Sequence, residues 1–124
     1  MKAIIAENAP AAIGPYSAGI RAGSTVYVSG QLPADPATGS FPEGIEAQTR
    51  QSLNNLKAIL EAEGLRMSNV VKTVIFLADI NDFAAVNAVY AQAFTAPFPA
   101  RSCVQVAAIP KGAKLEIECI AVRE

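Results

Sequence analysis

The stretch Val70-Val71-Lys72-Thr73-Val74-Ile75-Phe76-Leu77 constrains the fold more than any other. Its β-branched side chains favour an extended backbone, and the run is too apolar for an edge that meets water. A central strand with both faces covered is expected. Cover is available from a clear helix pattern upstream: Ile45, Thr49, Ser52, Leu53, Leu56, Ile59 and Leu60 recur at intervals of three and four, while Glu46, Arg50, Asn54, Lys57 and Glu61 take the other face. Gly64 is the expected stop, and Glu46 with Arg50 reads as a solvated pair without chemistry. A second helix is expected after Asp79-Ile80-Asn81-Asp82, which supplies N-cap candidates, with Phe83, Val86, Asn87, Tyr90 and Phe94 on one stripe. Asn87 is the odd member of that stripe. An amide there must find partners, in a structural hydrogen bond or in a pocket.

On the N-terminal side, Gly19-Ile20-Arg21-Ala22 and Thr25-Val26-Tyr27-Val28-Ser29 flank Gly23-Ser24, a hairpin signal that puts Thr25, Tyr27 and Ser29 on one face and Val26 and Val28 on the other. The strand closes on Ser29-Gly30-Gln31, where the glycine lets a ligand or another backbone approach. Residues 8–17 and 32–42 are rich in proline and glycine and read as ordered loops. The first presents Tyr16 from the stiff turn Gly14-Pro15, either to plug a core edge or to line a pocket. The C-terminal part reads as a second hairpin, Arg101–Ile109 and Lys114–Val122, joined around Pro110-Lys111-Gly112-Ala113. That pairing puts Arg101, Cys103, Gln105 and Ala107 alongside Glu116 and Glu118, opposite the helices. It also leaves Glu116 some five or six residues from Arg101, on the order of 17–20 Å at about 3.3 Å per residue. Either the register differs or a neighbouring subunit completes a pocket.

Arg101 begins an otherwise apolar strand, and a guanidinium at such a rim needs an anion: a structural acid of the same chain or a ligand carboxylate gripped by its planar fork. The 124 residues are one domain's worth of chain, read as a single domain over 1–124. With 52% hydrophobic and 17% charged residues, some apolar surface is expected to be buried between subunits of a homo-oligomer. The net charge of −1 and scattered Lys and Arg give nucleic-acid binding no electrostatic support. Neither a signal peptide nor a membrane-spanning run is seen, so a cytoplasmic location is expected. There is no histidine, and Cys103 and Cys119 alone cannot build a metal cluster. Cys103 reads as a packing residue.

Pro99-Ala100-Arg101-Ser102-Cys103-Val104 followed by Leu115-Glu116-Ile117-Glu118 resembles the signature of the Rid family of reactive intermediate deaminases, most closely its RidA or YjgF-like subgroup. Ala12-Ile13-Gly14-Pro15-Tyr16-Ser17, Val28-Ser29-Gly30-Gln31, Gln51-Ser52-Leu53-Asn54-Asn55-Leu56 and Asp82-Phe83 with Val86-Asn87 match in order and spacing. The resemblance implies a chorismate-mutase-like (YjgF-like) α+β fold, two helices on one face of a mixed sheet, assembled as a homotrimer with pockets between subunits. It further implies hydrolysis of enamines and imines such as 2-aminoacrylate, 2-iminopropanoate and 2-iminobutanoate, released by pyridoxal-phosphate dehydratases, to 2-oxo acids and ammonia without a cofactor. Carried over, Arg101 would bind the substrate carboxylate, the backbone of Cys103 would contact the imine nitrogen, Glu116 would hold and polarise the attacking water, and Tyr16, Ser29, Gly30 and Asn87 would line the pocket. An iminium carbon is already electrophilic, so a clamp, a positioned water and a dry cavity suffice. Gln105 and Ala108 stand where many members carry an acid and a base, and the Phe94–Pro99 linker is shorter than in some. Non-catalytic readings of the same resemblance are a trimeric binding or regulatory module and an oxidation-activated holdase; a ribonuclease reading lacks a histidine and a basic groove.

Overall fold

The apolar run at 70–77 forms an interior strand with a partner on each side, one place from the edge of the sheet. In the computed structural model, which describes residues 1–124, the chain runs β1 (Lys2–Ile4), β2 (Gly19–Ala22), β3 (Thr25–Gln31), α1 (Ile45–Ala62), β4 (Val70–Leu77), α2 (Phe83–Ala93), β5 (Ala100–Gln105) and β6 (Leu115–Val122). These strands make one six-stranded sheet in the order β1-β2-β3-β6-β4-β5, antiparallel throughout except for the parallel β4–β5 pair. Both helices lie on one face, which gives the mixed α+β architecture expected. The β1 strand was not foreseen, because three residues carry too little pattern.

The expected second hairpin does not form. β6 inserts between β3 and β4, and β5 sits on the far side of β4. After β5 the chain stays against β4 through Val106 N–H donating to the Leu77 carbonyl (2.9 Å), then turns back at Pro110–Gly112, where Lys111 holds φ 59°. Residues 106–114 therefore pass around β4, and its two neighbours are about 10 Å apart, too far for a tight turn to join. The register follows: Thr73 stands beside both Arg101 and Cys119, Ile75 beside Cys103 and Ile117, and Phe76 beside Glu116. Laterally paired residues share a face, so Arg101 and Cys103 lie on the helix side with buried Thr73 and Ile75, whereas Glu116 and Glu118 lie on the other. The expectation that all four share a face is corrected.

Packing explains the helices. Leu53, Leu56, Ile59 and Leu60 of α1 press on Val26 and Val28 of β3 and on Leu115, Ile117, Cys119 and Ala121 of β6, within a cluster of 20 buried residues. At its end Gly64 adopts φ 75°, with Gly64 N–H donating to the Glu61 carbonyl (3.0 Å) and Leu65 N–H to the Leu60 carbonyl (2.9 Å). These two bonds form a Schellman cap. Gln105 has a structural task, its Oε1 accepting from Ile80 N–H (2.8 Å) to hold the turn that leads into α2. The opposite face of the sheet lacks cover within the chain: Lys72, Val74, Phe76 and Ile120 are half-exposed and Tyr27 is exposed. Only one face of β4 is therefore buried. The expectation of two covered faces holds for one within this chain.

Gly64→Ala, which forces a side chain into the left-handed region, is expected to cost about 1–2 kcal/mol in urea unfolding with no change of fold by circular dichroism.

Candidate active site

Two groups of polar side chains stand out, one on each face of the sheet. On the helix side Arg101, near the start of β5, donates from Nη1 to Oδ1 of Asn87 at 2.7 Å. Its guanidinium carbon lies 4.8 Å from the Tyr90 ring centroid and 5.4 Å from that of Phe83. Phe83, Asn87 and Tyr90 occupy successive turns of α2 and so face one way, giving the cation two aromatic neighbours and an amide. Tyr90 is anchored in turn by a 2.7 Å hydrogen bond between its phenol and the Thr73 hydroxyl, both buried. The ion pairs of the chain are Lys2 and Arg21 with Glu63, and Lys57 with Glu61. Arg101 thus takes part in no internal salt bridge, and the charged fork keeps donors to offer a ligand carboxylate. Cys103 is two residues on, half-buried, its thiol pushed up by burial against a smaller opposing pull from Arg101. Cys119 is pushed up to about 12 by burial and packs in the core.

On the other side a cavity of about 640 Å³ is lined by Tyr16, Ser29, Gly30 and Glu116, by the 32–42 loop and by Lys111. The β3–β6 register slips between Val28 and Gln31, a bulge that turns Gly30 onto Glu116. A Cβ at Gly30 would stand 1.8 Å from the Glu116 Oε1, so only glycine lets the carboxylate lie there. Ser29 spends its hydroxyl on the Ser17 carbonyl (2.6 Å) and its N–H on the Ala18 carbonyl (2.9 Å), which ties down the loop that carries Tyr16. Tyr16 is exposed and lines the cavity rather than plugging the core. Burial raises the Glu116 carboxyl above its ordinary value, and neighbouring Glu118 adds to the rise. A carboxylate so placed takes a proton from water more readily than a free one.

The expected residues therefore fall into two sets: Arg101, Asn87 and Cys103 on one face, Tyr16, Ser29, Gly30 and Glu116 on the other. A separate cavity of about 820 Å³ between the C-terminal parts of α1 and α2 holds none of them. Sequence reading missed Phe83 and Tyr90 as neighbours of Arg101, because aromatic residues at helical spacing read as core. It also missed Lys111, whose left-handed backbone at the cavity rim has no signature beyond the adjoining Gly112.

A small α+β domain of this topology, with an aromatic-backed arginine on one sheet face and a half-buried carboxylate over a glycine on the other, has the architecture of the YjgF-like proteins. A family model described as endoribonuclease L-PSP matches residues 6–123, and the chain belongs to this family, the RidA/YjgF group. A 2-iminobutanoate/2-iminopropanoate deaminase of Salmonella typhimurium is 59% identical over 125 residues, covering 98% of each chain, and the enzyme of that name from Escherichia coli K12 is 57% identical with the same coverage. Among solved structures, E. coli TdcF with bound serine superposes over the whole of both chains with a TM-score of 0.97 at 50% identity. The E. coli YjgF gene product gives 0.97 at 55%, again over both whole chains.

Because the folded chain raises the Glu116 pKa, the stability tied to its retained proton is complete below the ordinary glutamate value and is lost as pH rises through the raised one. Glu116→Gln is accordingly expected to melt higher than the native protein at pH 7–8 and to converge with it near pH 4, read from Tm across a pH series.

Proposed function

We propose that this chain is a cofactor-independent hydrolase of 2-iminobutanoate and 2-iminopropanoate, with each active site completed between subunits of a homotrimer. The observation that carries the reading is the 59% identity, over 98% of both chains, with a deaminase of those two substrates. Bound serine in the TdcF structure supports a small, carboxylate-bearing ligand. The split between faces supports the assembly, since Arg101 and Glu116 lie on opposite sides of their own sheet. The half-exposed apolar residues around Glu116 supply a surface that a second copy would cover.

In this reading Arg101, steadied by Asn87 and the two rings, grips the substrate carboxylate, and Cys103 offers its backbone on the edge strand to the imine nitrogen. Glu116 of the adjoining subunit holds a water against the imine carbon. The water oxygen forms the new C–O bond, the C=N π pair moves to nitrogen, and the proton from water passes to the carboxylate. Glu116 returns that proton to the nitrogen to give the carbinolamine; the carboxylate then takes the hydroxyl proton and passes it to the amino group as the C–N bond breaks, so that the oxygen's electron pair forms the carbonyl of the 2-oxo acid and ammonia leaves. Tyr16 and the 32–42 loop keep bulk water out. Ribonuclease chemistry, which the family description names, draws no support from a chain of net charge −1 without histidine. No helix is long and apolar enough to cross a membrane; two free thiols favour a cytoplasmic setting.

Ammonia release from freshly generated 2-iminobutanoate tests the reaction. Arg101→Ala is expected to lower kcat/KM by about 30-fold or more, the cost of removing one member of a hydrogen-bonded charge pair, without changing the mass of the assembly. Retained activity in that variant, or none in the native protein, would overturn the assignment. Arg101→Ala and Glu116→Gln chains, each strongly impaired alone, are expected to regain activity when refolded together. A site contained within one chain would show no such recovery.

A further inference from the structure

Three amides of α1 take no part in the chemistry above: Gln48, Gln51 and Asn55 recur at three and four along one line of the helix. Gln48 and Asn55 are buried, and their hydrogen bonds lead to the loop that walls the Glu116 cavity. Asn55 Nδ2 donates to the Leu32 carbonyl (3.1 Å) and to the Ala34 carbonyl (2.9 Å), while its Oδ1 accepts from Gln51 Nε2 (3.0 Å), which orients the amide. Gln48 Nε2 donates to the Pro42 carbonyl (3.0 Å), and Gln48 Oε1 accepts from Lys114 N–H (2.9 Å), two residues before Glu116. Between those anchors the loop is already closed on itself. Asp35 and Ser40 bond across it (2.9 Å), the Asp35 carboxylate accepts from Ala37 N–H (2.8 Å), and Gly39 N–H returns to the Asp35 carbonyl (2.7 Å). A stiff turn hung at both ends from one helix moves as that helix dictates.

We propose that Gln48 and Asn55 are positioning residues that set the width of the substrate cavity, Asn55 by fixing the near end of the wall loop and Gln48 by tying its far end to the start of the Glu116 strand. The proposal rests on the deaminase reading and assigns these residues no contact with substrate. The wall contributes Leu32, Pro36 and Phe41 to the lining, part of the burial that raises the Glu116 carboxyl above its ordinary value. Releasing Asn55 frees only the wall. Releasing Gln48 frees the wall and the approach to the carboxylate, and the two variants should therefore fail differently.

The experiment measures kcat, KM and the pH dependence of 2-iminobutanoate hydrolysis, with binding of 2-oxobutanoate by calorimetry, for native protein, Asn55→Leu, Gln48→Met and Gln48→Glu, each checked for fold by circular dichroism. Asn55→Leu is expected to raise KM about tenfold with kcat nearly unchanged. Gln48→Met is expected to lower kcat as well, and to move the acidic limb of the pH profile down towards the ordinary glutamate range. Gln48→Glu keeps the acceptor for Lys114 N–H but gives up the donor to the Pro42 carbonyl, and is expected to recover most of kcat while KM stays raised. Folded variants with native kcat, KM and pH limb overturn the proposal, as does a Gln48→Glu variant no better than Gln48→Met. Should native protein bind 2-oxobutanoate without hydrolysing the imine, the deaminase reading falls alone, and weaker binding by Asn55→Leu and Gln48→Met still supports the clamp while unchanged binding overturns it. Native protein that neither binds nor hydrolyses sinks both.

Discussion

The placement of β6 governs the molecule. Its Leu115, Ile117, Cys119 and Ala121 are each at most 2% exposed, it is hydrogen-bonded to a strand on both sides, and α1 lies across it. Fully burying a Leu or Ile side chain contributes about 1.5–3 kcal/mol, and no other strand offers α1 so regular an apolar row. With β6 in the middle, the chain leaving β5 has to travel around β4 to reach it. β5 is thereby left as an edge strand, parallel to its only neighbour.

That topology sets the electrical layout. Arg101 on the edge faces the helices, where α2 can bring two rings and an amide to it; Glu116 in the interior of the sheet faces away, towards the cavity under the 32–42 loop. Each environment suits its charge. The guanidinium keeps part of its fork open to solvent while its flat faces rest on carbon, whereas the carboxylate is crowded by apolar loop residues and a second acid, which favours its neutral form. Had the two shared a face at close range they would have paired, and an ion pair has little left to give a substrate.

Much of this was legible in the residues, and the losses share a cause. Both helices and the N-terminal hairpin follow from local period and turn chemistry: the 45–62 pattern, the Gly64 stop and Gly23-Ser24 each involve neighbours in the chain. Strand pairing between 101–105 and 115–122 is a long-range choice, and Pro110-Lys111-Gly112 imitates a hairpin turn while serving a crossover. One mistaken pairing put Arg101 on the wrong face. Arg101 itself was conspicuous as a cation at an apolar rim; Glu116 drew notice through the family resemblance, since a carboxylate alternating with apolar residues along a strand looks like any solvated position. Gln48 and Asn55 were invisible for a different reason. They fall between the apolar and charged stripes of α1, and only the path of the following loop gives them partners.

Gly30 and Glu116 occupy the same small volume: the space that a methyl group would fill at one is taken by an oxygen of the other. Mutational drift at these positions is therefore coupled. A lineage cannot gain a side chain at 30 while keeping the carboxylate where it is, and one that shortens the acid removes the reason for the glycine. A side chain gained at 30 would turn the Glu116 carboxylate out of its present place, so the glycine decides where the acid points rather than whether an acid can be kept.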